Sequence, residues 1–332
     1  MKAISLISGG LDSELATRII LEQKIEIIGL HFITPFCLCD KKGSCNSQSL
    51  RVAKDLNIEL KIIPLKDEYL EIVKNPKYGY GKNLNPCIDC RIMMLRYTKK
   101  IMQEVGALFV VTGEVLGQRP KSQNIKALKI IEKEAGLEGL ILRPLSAKVL
   151  PETIPEKLGW VQRDKLFNIV GRQRKIQIEL AKNFDMKNYP CPSGGCLLTD
   201  PNFSKRIKDV LIYCGDLTIY DVNLAKIGRH FRLDEKTKVI VGRNEKENNI
   251  LAKLKRDKDL ILLPKDTKGP VGLVIGELDD RKILYSASIV ASYCNGGENY
   301  KEIFVIPKES LIVAKKLPKS ELKVIRVEKL LN

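Results

Sequence analysis

The sequence predicts an α/β protein in which a doubly wound parallel sheet is followed by a smaller α+β domain. Three observations predict it. Apolar runs of strand length alternate with helical patterns through the first half of the chain. The run Ile25 to Phe32 is nearly continuous in apolar residues, as a parallel strand covered on both faces should be. Beyond Leu217 the texture changes to short apolar runs separated by turns.

In order, residues 2 to 7 read as a first strand, and a helix follows from Leu11 to about Glu22. After Ile25 to Phe32 come a helix near Ser47 to Leu56, a strand at Ile58 to Pro64 and a helix near Asp67 to Val73. A loop rich in Gly, Asn and Pro leads from Asn75 into a helix from Ile88 to about Val105. Strands Ala107 to Val111 and Leu140 to Leu142 complete the sheet, and a later helix contains Arg172, Arg174 and Lys175. The runs Lys238 to Val241, Leu260 to Pro264, Val271 to Ile275, Ile283 to Val290 and Ile303 to Ile306 belong to the second domain. The expected organisation is 1–185, a cysteine-containing connecting segment 186–213, and 214–332.

The 332 residues suffice for two cores, and no stretch approaches the 18 apolar residues of a membrane span, so a cytoplasmic protein without membrane attachment is expected. Its 57 basic and 40 acidic residues leave a charge of +17, which suits an anionic macromolecule but equally a Lys-rich solvated surface. Only two histidines exist, His31 and His230, which excludes chemistry built on several of them. Nine cysteines in such a protein point to metal binding or thiol chemistry rather than to disulfides.

Ser8-Gly9-Gly10-Leu11-Asp12-Ser13 falls at the first strand-to-helix junction. Two glycines let the backbone turn tightly around an anion, and the free amides of the helix start point at it. Asp12 would repel a bare phosphate, so its place is explained by a divalent cation or by orientation of a pyrophosphate. This pattern resembles the PP-loop of the ATP pyrophosphatases, with an adenine nucleotide alpha hydrolase-like fold, whose members cleave ATP between the α- and β-phosphates. Further along, Leu30-His31-Phe32, Cys90-Arg91-Ile92-Met93-Met94-Leu95-Arg96, Val111 to Gln118 and Leu142-Arg143-Pro144-Leu145 are similar, in that order, to the tRNA 4-thiouridine synthetase family. The resemblance covers roughly residues 1 to 185. It implies ATP contacts from Leu6, Ile7, Ser8, Gly9, Gly10, Leu11, Asp12, Ser13, His31, Phe32, Arg91, Gly113 and Gln123, with Mg²⁺. It also implies a catalytic role for Asp12 and for Lys165, read as standing at a helix start.

Asn85-Pro86-Cys87-Ile88-Asp89-Cys90 puts a CxxC at a helix N-terminus, where the dipole favours thiolates. Alone it could be half of a zinc site or a redox pair. Cys90 matches the cysteine of the tRNA 2-thiouridylase segment, and Ser193-Gly194-Gly195-Cys196 resembles that family's second cysteine loop. By that resemblance Cys87, Cys90 and Cys196 hold a [4Fe-4S] cluster and act in catalysis, with Cys191 the other candidate for third ligand. Cys37, Cys39 and Cys45 are either a separate metal site or a thiol-bearing loop, and Cys214 and Cys294 are expected to be buried. The synthetase family carries an RNA-capturing domain before its PP-loop, whereas this loop begins at residue 8. From about Ile227 the chain instead resembles the NFACT-R domain, an RNA-binding module, on Val241-Gly242-Arg243-Asn244 to Asn248, Asp259-Leu260 and Gly269-Pro270. The function these resemblances imply is ATP-dependent sulfur transfer to a tRNA uridine, the partners being tRNA and a sulfide or persulfide donor, with a homodimer left open. The rivals are a PP-loop enzyme acting on a small molecule and a non-catalytic RNA-binding factor.

Overall fold

The structure is a computed structural model that describes residues 1–37, 45–186 and 195–331, with 45–47 described in backbone only. It divides into two units, Met1–Thr199 and Asp200–Asn332. The segment 186–213 read as a connector is therefore shared: residues 195–199 go with the first unit, and a helix at Pro201–Tyr213 goes with the second.

In the first unit β1 (Lys2–Leu6) lies between β2 (Glu26–Ile33) and β4 (Phe109–Val111), with β3 (Glu59–Pro64) and β5 (Ile141–Leu142) outside them. The order β3-β2-β1-β4-β5 is parallel throughout, with Leu6 opposite Leu30 and Ser5 opposite Val111. The helices are α1 (Leu11–Leu21), α2 (Cys45–Asp55), α3 (Asp67–Lys74), α4 (Cys87–Glu104), α5 (Ile125–Ala135), α6 (Ile154–Lys157) and α7 (Lys175–Asn183). Leu11, Leu15 and Ile19, one helical turn apart, face Ala3, Ile27 and Phe109, and this core extends to Ala181 of α7. Asn124 accepts from the Ala127 amide at 2.9 Å to start α5, and Gly136 ends it in the left-handed region at φ 64°. Strand order reverses between β1 and β4, which opens the crevice at their carboxyl ends. The helix expected to contain Arg172 and Arg174 begins only at Lys175, with Arg174 as its N-cap.

The second unit contains α8 (Pro201–Tyr213), α9 (Ile219–Ala225), β6 (Arg229–Arg232), β7 (Lys238–Val241), α10 (Glu245–Leu254), β8 (Leu260–Pro264), β9 (Gly272–Ile275), α11 (Asp280–Ala291), β10 (Tyr300–Ile306), β11 (Ser310–Lys315), α12 (Lys319–Val324) and α13 (Val327–Leu330). Its antiparallel sheet runs β11-β10-β8-β9-β7-β6. Val239, Val241, Leu260 and Leu262 pack with Ile283 and Ala287 of α11. Ile240, Ile261 and Leu273, alternating with them, pack with Leu224 and Leu251 of α9 and α10. Helices on both faces explain strands without a polar side. The run Ile283 to Val290 is helical, and β6 and β11 add two strands that the apolar runs do not mark.

Asp209 of α8 ties this unit internally, accepting from Arg232 at 2.9 and 2.6 Å and from Lys238 at 2.7 Å, all buried. Burial alone would push the Asp209 carboxyl up, but the Arg232 and Lys238 cations override it and hold it below the usual range. A depressed carboxylate stabilises the fold above its unfolded pKa and loses that contribution as pH falls through the folded value. The melting temperature of the second unit should therefore drop on acidification below about pH 4. Asp209→Asn should cost about 3–5 kcal/mol at neutral pH, because two buried cations lose their counter-charge, and should flatten the acid limb of the melting profile.

Candidate active site

At the end of β1 the chain turns through Gly9, whose φ of 76° lies in the left-handed region. A β-carbon there would stand 2.8 Å from Cβ of Gln48. Gly10 is the N-cap of α1 and offers no side chain to cap it, so the first-turn amides remain available to an anion. Ser13 closes the turn: its hydroxyl donates to the Gly10 carbonyl at 2.9 Å and accepts from the Ser8 amide at 3.2 Å. From β4 the backbone of Gly113 presses on this loop. A β-carbon on Gly113 would lie 2.5 Å from the Asp12 carbonyl carbon and from the Ser13 nitrogen.

Asp12 is buried. Its Oδ2 accepts from Gln118 at 3.0 Å and from Arg174 at 3.3 Å, whereas the buried Oδ1 has no hydrogen-bond partner. An orphaned carboxylate oxygen beside free amides fits a divalent cation in chemistry and position. His31, at the end of β2, places Nδ1 2.7 Å from the Ile7 carbonyl. A carbonyl only accepts, so Nδ1 carries the proton and Nε2 is a bare acceptor, buried and unpartnered. Burial lowers the His31 pKa against the bond to Ile7, which keeps the ring neutral at physiological pH. Gln123 likewise buries an unpartnered Oε1, and its carbonyl holds the Gly117 amide at 2.7 Å beside Gln118. Arg91 lies 3.0 Å from Glu114, the residue after Gly113, which also meets Arg143 at 3.1 Å. Burial would raise the Glu114 carboxyl, but Arg91 and Arg143 outweigh it and lower it.

Cys87 opens α4, and Cys90 follows one turn later on the same face. Asp89 fixes the preceding loop by accepting from the amides of Lys77 and Tyr78 at 2.9 and 3.1 Å. Cys196 pairs with Cys37 in an antiparallel bridge. The fields of Cys90, Cys196 and Cys37 all reach the buried Tyr69 hydroxyl, which hydrogen-bonds Cys90. Burial pushes the Cys90 thiol up despite Tyr69 and Arg91, and burial together with neighbouring Cys90 pushes Cys196 up to about 12. Such thiols are protonated at neutral pH until a thiophilic metal or a reaction removes the proton. Among the described residues no three His, Cys, Asp or Glu side chains stand close enough to form a ready metal site. The donor set nevertheless fits iron and sulfide in kind, since it consists of half-buried thiols, two of which, Cys90 and Cys196, act on the Tyr69 hydroxyl.

In the second unit Arg229 pairs with Val241 across β6 and β7, and the charges of Arg326 and Arg243 both act on it. Arg229 stacks 4.6 Å over Tyr293, while Glu247 holds Arg243 and Glu328 holds Arg326. Among the described residues no helix is long and apolar enough to cross a membrane.

Residues 1–149 match the family described as thiamine biosynthesis protein (ThiI), and residues 228–324 match the NFACT protein RNA-binding domain. By these matches the chain joins a ThiI-like unit to an NFACT-R-like unit. Among curated relatives, a tRNA-specific 2-thiouridylase, MnmA, of Petrotoga mobilis is 27% identical over 250 residues, 69% of this chain and 64% of that protein. A probable tRNA sulfurtransferase of Thermococcus kodakarensis is 28% identical over 146 residues, 43% of this chain and 36% of that protein. The chain thus spans less than two thirds of either relative. Among solved structures, a 4-thiouridine synthetase–RNA complex with bound ATP aligns at TM-score 0.36 and 23% identity, over 55% of this chain and 50% of that one. The U34-tRNA thiolase NcsA of Methanococcus maripaludis, with its [4Fe-4S] cluster, aligns at TM-score 0.33 and 16% identity, over 64% and 66%.

In the ThiI-like unit the residues expected at the nucleotide divide by position. Leu6, Ile7, Leu11 and Phe32 are buried; His31 meets the Ile7 carbonyl, and Gly113 presses on the Asp12–Ser13 peptide of the loop Ser8 to Ser13. Lys165 lies exposed on a single 3-10 turn, Arg163–Lys165, rather than at a helix start, and its side chain makes no hydrogen bond or ion pair among the described residues. Gln118 and Arg174, unmarked as site residues in the sequence, are the side chains on Asp12. Cys37 is likewise drawn to the thiols, whereas Cys39 and Cys191, and the side chain of Cys45, lie outside the described residues. Cys294 is buried as expected, but Cys214 is exposed, at the C-cap of α8. Gly113→Ala should destabilise the ThiI-like unit by about 1–3 kcal/mol, since backbone rather than a pliable side chain must give way. Differential scanning calorimetry should show its transition lowered and that of the NFACT-R-like unit unmoved.

Proposed function

We propose that the chain is an ATP-dependent sulfurtransferase that adenylates a uridine carbonyl of tRNA and replaces the oxygen with sulfur. The observation that carries the reading is the Gly9 turn with the unpartnered Oδ1 of Asp12, set at the crevice of a sheet whose sequence matches ThiI. In this reading ATP lies with its phosphates on the amides of Ser8 to Ser13, and Asp12 holds Mg²⁺. Arg174 and Gln118 fix the Asp12 carboxylate so that its free oxygen faces the cation. His31 and Phe32 take the adenine side. The neutral His31 ring, anchored on Ile7, presents an acceptor there.

The uridine carbonyl oxygen attacks the α-phosphate, and pyrophosphate leaves against the electrostatic support of the loop amides. A sulfur nucleophile then adds at the activated carbon, and AMP departs with the original oxygen. Cys87, Cys90 and Cys196 would hold a [4Fe-4S] cluster, which supplies an iron able to carry sulfide when bound. Sulfide or a persulfide carrier is the donor. The Arg229, Arg243 and Arg326 group supports tRNA binding by the NFACT-R-like unit, whose matched domain is an RNA-binding one. The resulting enzyme works in the cytoplasm.

Asp12→Ala should cut tRNA-stimulated release of AMP and pyrophosphate by on the order of 10²-fold or more and remove thiouridine from digests of the treated tRNA. Undiminished thiouridine would refute the assignment. Anaerobically purified protein should contain iron and acid-labile sulfide with broad visible absorption, and Cys196→Ala should lose both. Zinc in place of iron would replace the cluster with a structural metal.

A further inference from the structure

We propose that Cys37 and Cys196 form a cross-strand dithiol that closes to a disulfide, and that this is the oxidation-sensitive bond of the ThiI-like unit. The two residues sit directly opposite one another in an antiparallel bridge, and both are free thiols here. The Leu197 amide donates to the Phe36 carbonyl at 2.8 Å. That bond joins the neighbours of the pair rather than the pair itself, which marks the narrow, non-hydrogen-bonded position of an antiparallel ribbon. Opposed α-carbons there stand about 4.5 Å apart with their side chains on one face. A disulfide spans α-carbons roughly 4.4–6.8 Å apart, so closure requires no movement of the ribbon.

The polar groups of the pair are already committed away from each other, as that position demands. The Cys37 amide donates to the Thr34 carbonyl at 3.1 Å, and the Thr34 amide returns a bond to the Cys37 sulfur at 3.3 Å. On the opposite side the Cys196 carbonyl accepts from the Thr199 amide at 3.1 Å and from its hydroxyl at 2.7 Å. Both backbones are thus held, and closure of the sulfur–sulfur bond asks the Cys37 sulfur only to give up its contacts with Thr34. Cys87 and Cys90 differ, because they stand one turn apart on α4 and hydrogen bonds of the helix fix their spacing.

The chemistry balances with a small disulfide as oxidant. One thiolate attacks it and forms a mixed disulfide, and the second thiol displaces the remaining small thiol. Two protons and two electrons pass to the oxidant, whose sulfur–sulfur bond breaks as it leaves as two thiols, and one sulfur–sulfur bond forms in the protein. Resting on the proposed role of Cys196 in sulfur transfer, closure takes that sulfur away from Cys87 and Cys90 and disarms the site.

The test uses the full chain, made metal-free with a chelator and equilibrated in glutathione buffers of increasing oxidised fraction. After acid quench, alkylation and digestion, peptide mass mapping should find the Cys37 peptide joined to the Cys196 peptide and two hydrogens lighter than the separate thiols. Cys37→Ser should abolish the link, with far-UV circular dichroism and melting unchanged, and Cys214→Ser should leave it intact. Separate alkylation of Cys37 and Cys196 under conditions that glutathionylate the exposed Cys214 would overturn the proposal, as would a link between Cys87 and Cys90 in its place. Neither ATP nor RNA enters the measurement, so its failure is distinct from failure of the thiolation assay on reduced protein.

Discussion

The approach of the Gly113 backbone to the Asp12–Ser13 peptide is the contact on which the candidate site depends. Parallel pairing of Ser5 with Val111 brings β4 beside β1, and the next residues of both segments must cross at van der Waals distance. Only a residue without a β-carbon passes. Once it does, the loop is pinned from the side opposite α2, whose Gln48 meets Gly9, and Ser13 can knot the turn through Ser8 and Gly10. A preformed loop loses little conformational entropy on meeting an anion. Asp12 is held still enough to leave one oxygen without a partner, an arrangement that a flexible loop would relax away by turning the carboxylate to water.

The thiols obey a different logic. Their positions come from a helix start, from the strand end after Phe36 and from a return segment near Leu197, so no local sequence window contains the group. Three of them, Cys37, Cys90 and Cys196, act on the buried Tyr69 hydroxyl, whose ring lies 5.7 Å from that of Phe36. At Cys90 and Cys196 burial suppresses thiolate formation, which shields sulfur that would otherwise react with any small oxidant or metal.

The sequence is most legible where chemistry is local. The Gly-Gly turn and the parallel strand Ile25 to Phe32 are short-range patterns, and the CxxC at a helix start is another, although alone it leaves a zinc half-site, a redox pair and a cluster site open. Arg174 and Gln118 stay hidden because they reach Asp12 from 162 and 106 residues away, and distance along the chain carries no signal of contact in a single sequence. Lys165, read from the resemblance as standing at a helix start, lies on a turn that Leu166 leaves in an extended conformation, so no helix propagates from it. Strand β6, Arg-His-Phe-Arg, reads as polar, yet Arg232 is buried on Asp209 and the His230 ring is hydrogen-bonded at the Ile227 carbonyl. The run Ile283 to Val290 stands among the short apolar runs of the sequence without a type of its own; it is helical, and its buried face includes the small residues Ser286 and Ala287.

One small tie reaches beyond the site. Asn83, in the loop that precedes Cys87, donates its side-chain amide to the Thr199 carbonyl at 2.8 Å. The CxxC loop is thereby fastened to the last residue of the first unit, three positions after Cys196. The segments that bear Cys37, Cys87, Cys90 and Cys196 are in this way cross-braced by residues of 1–199. Every brace named here lies within residues 1–199, so the spacing of these thiols is fixed by contacts of the first unit itself.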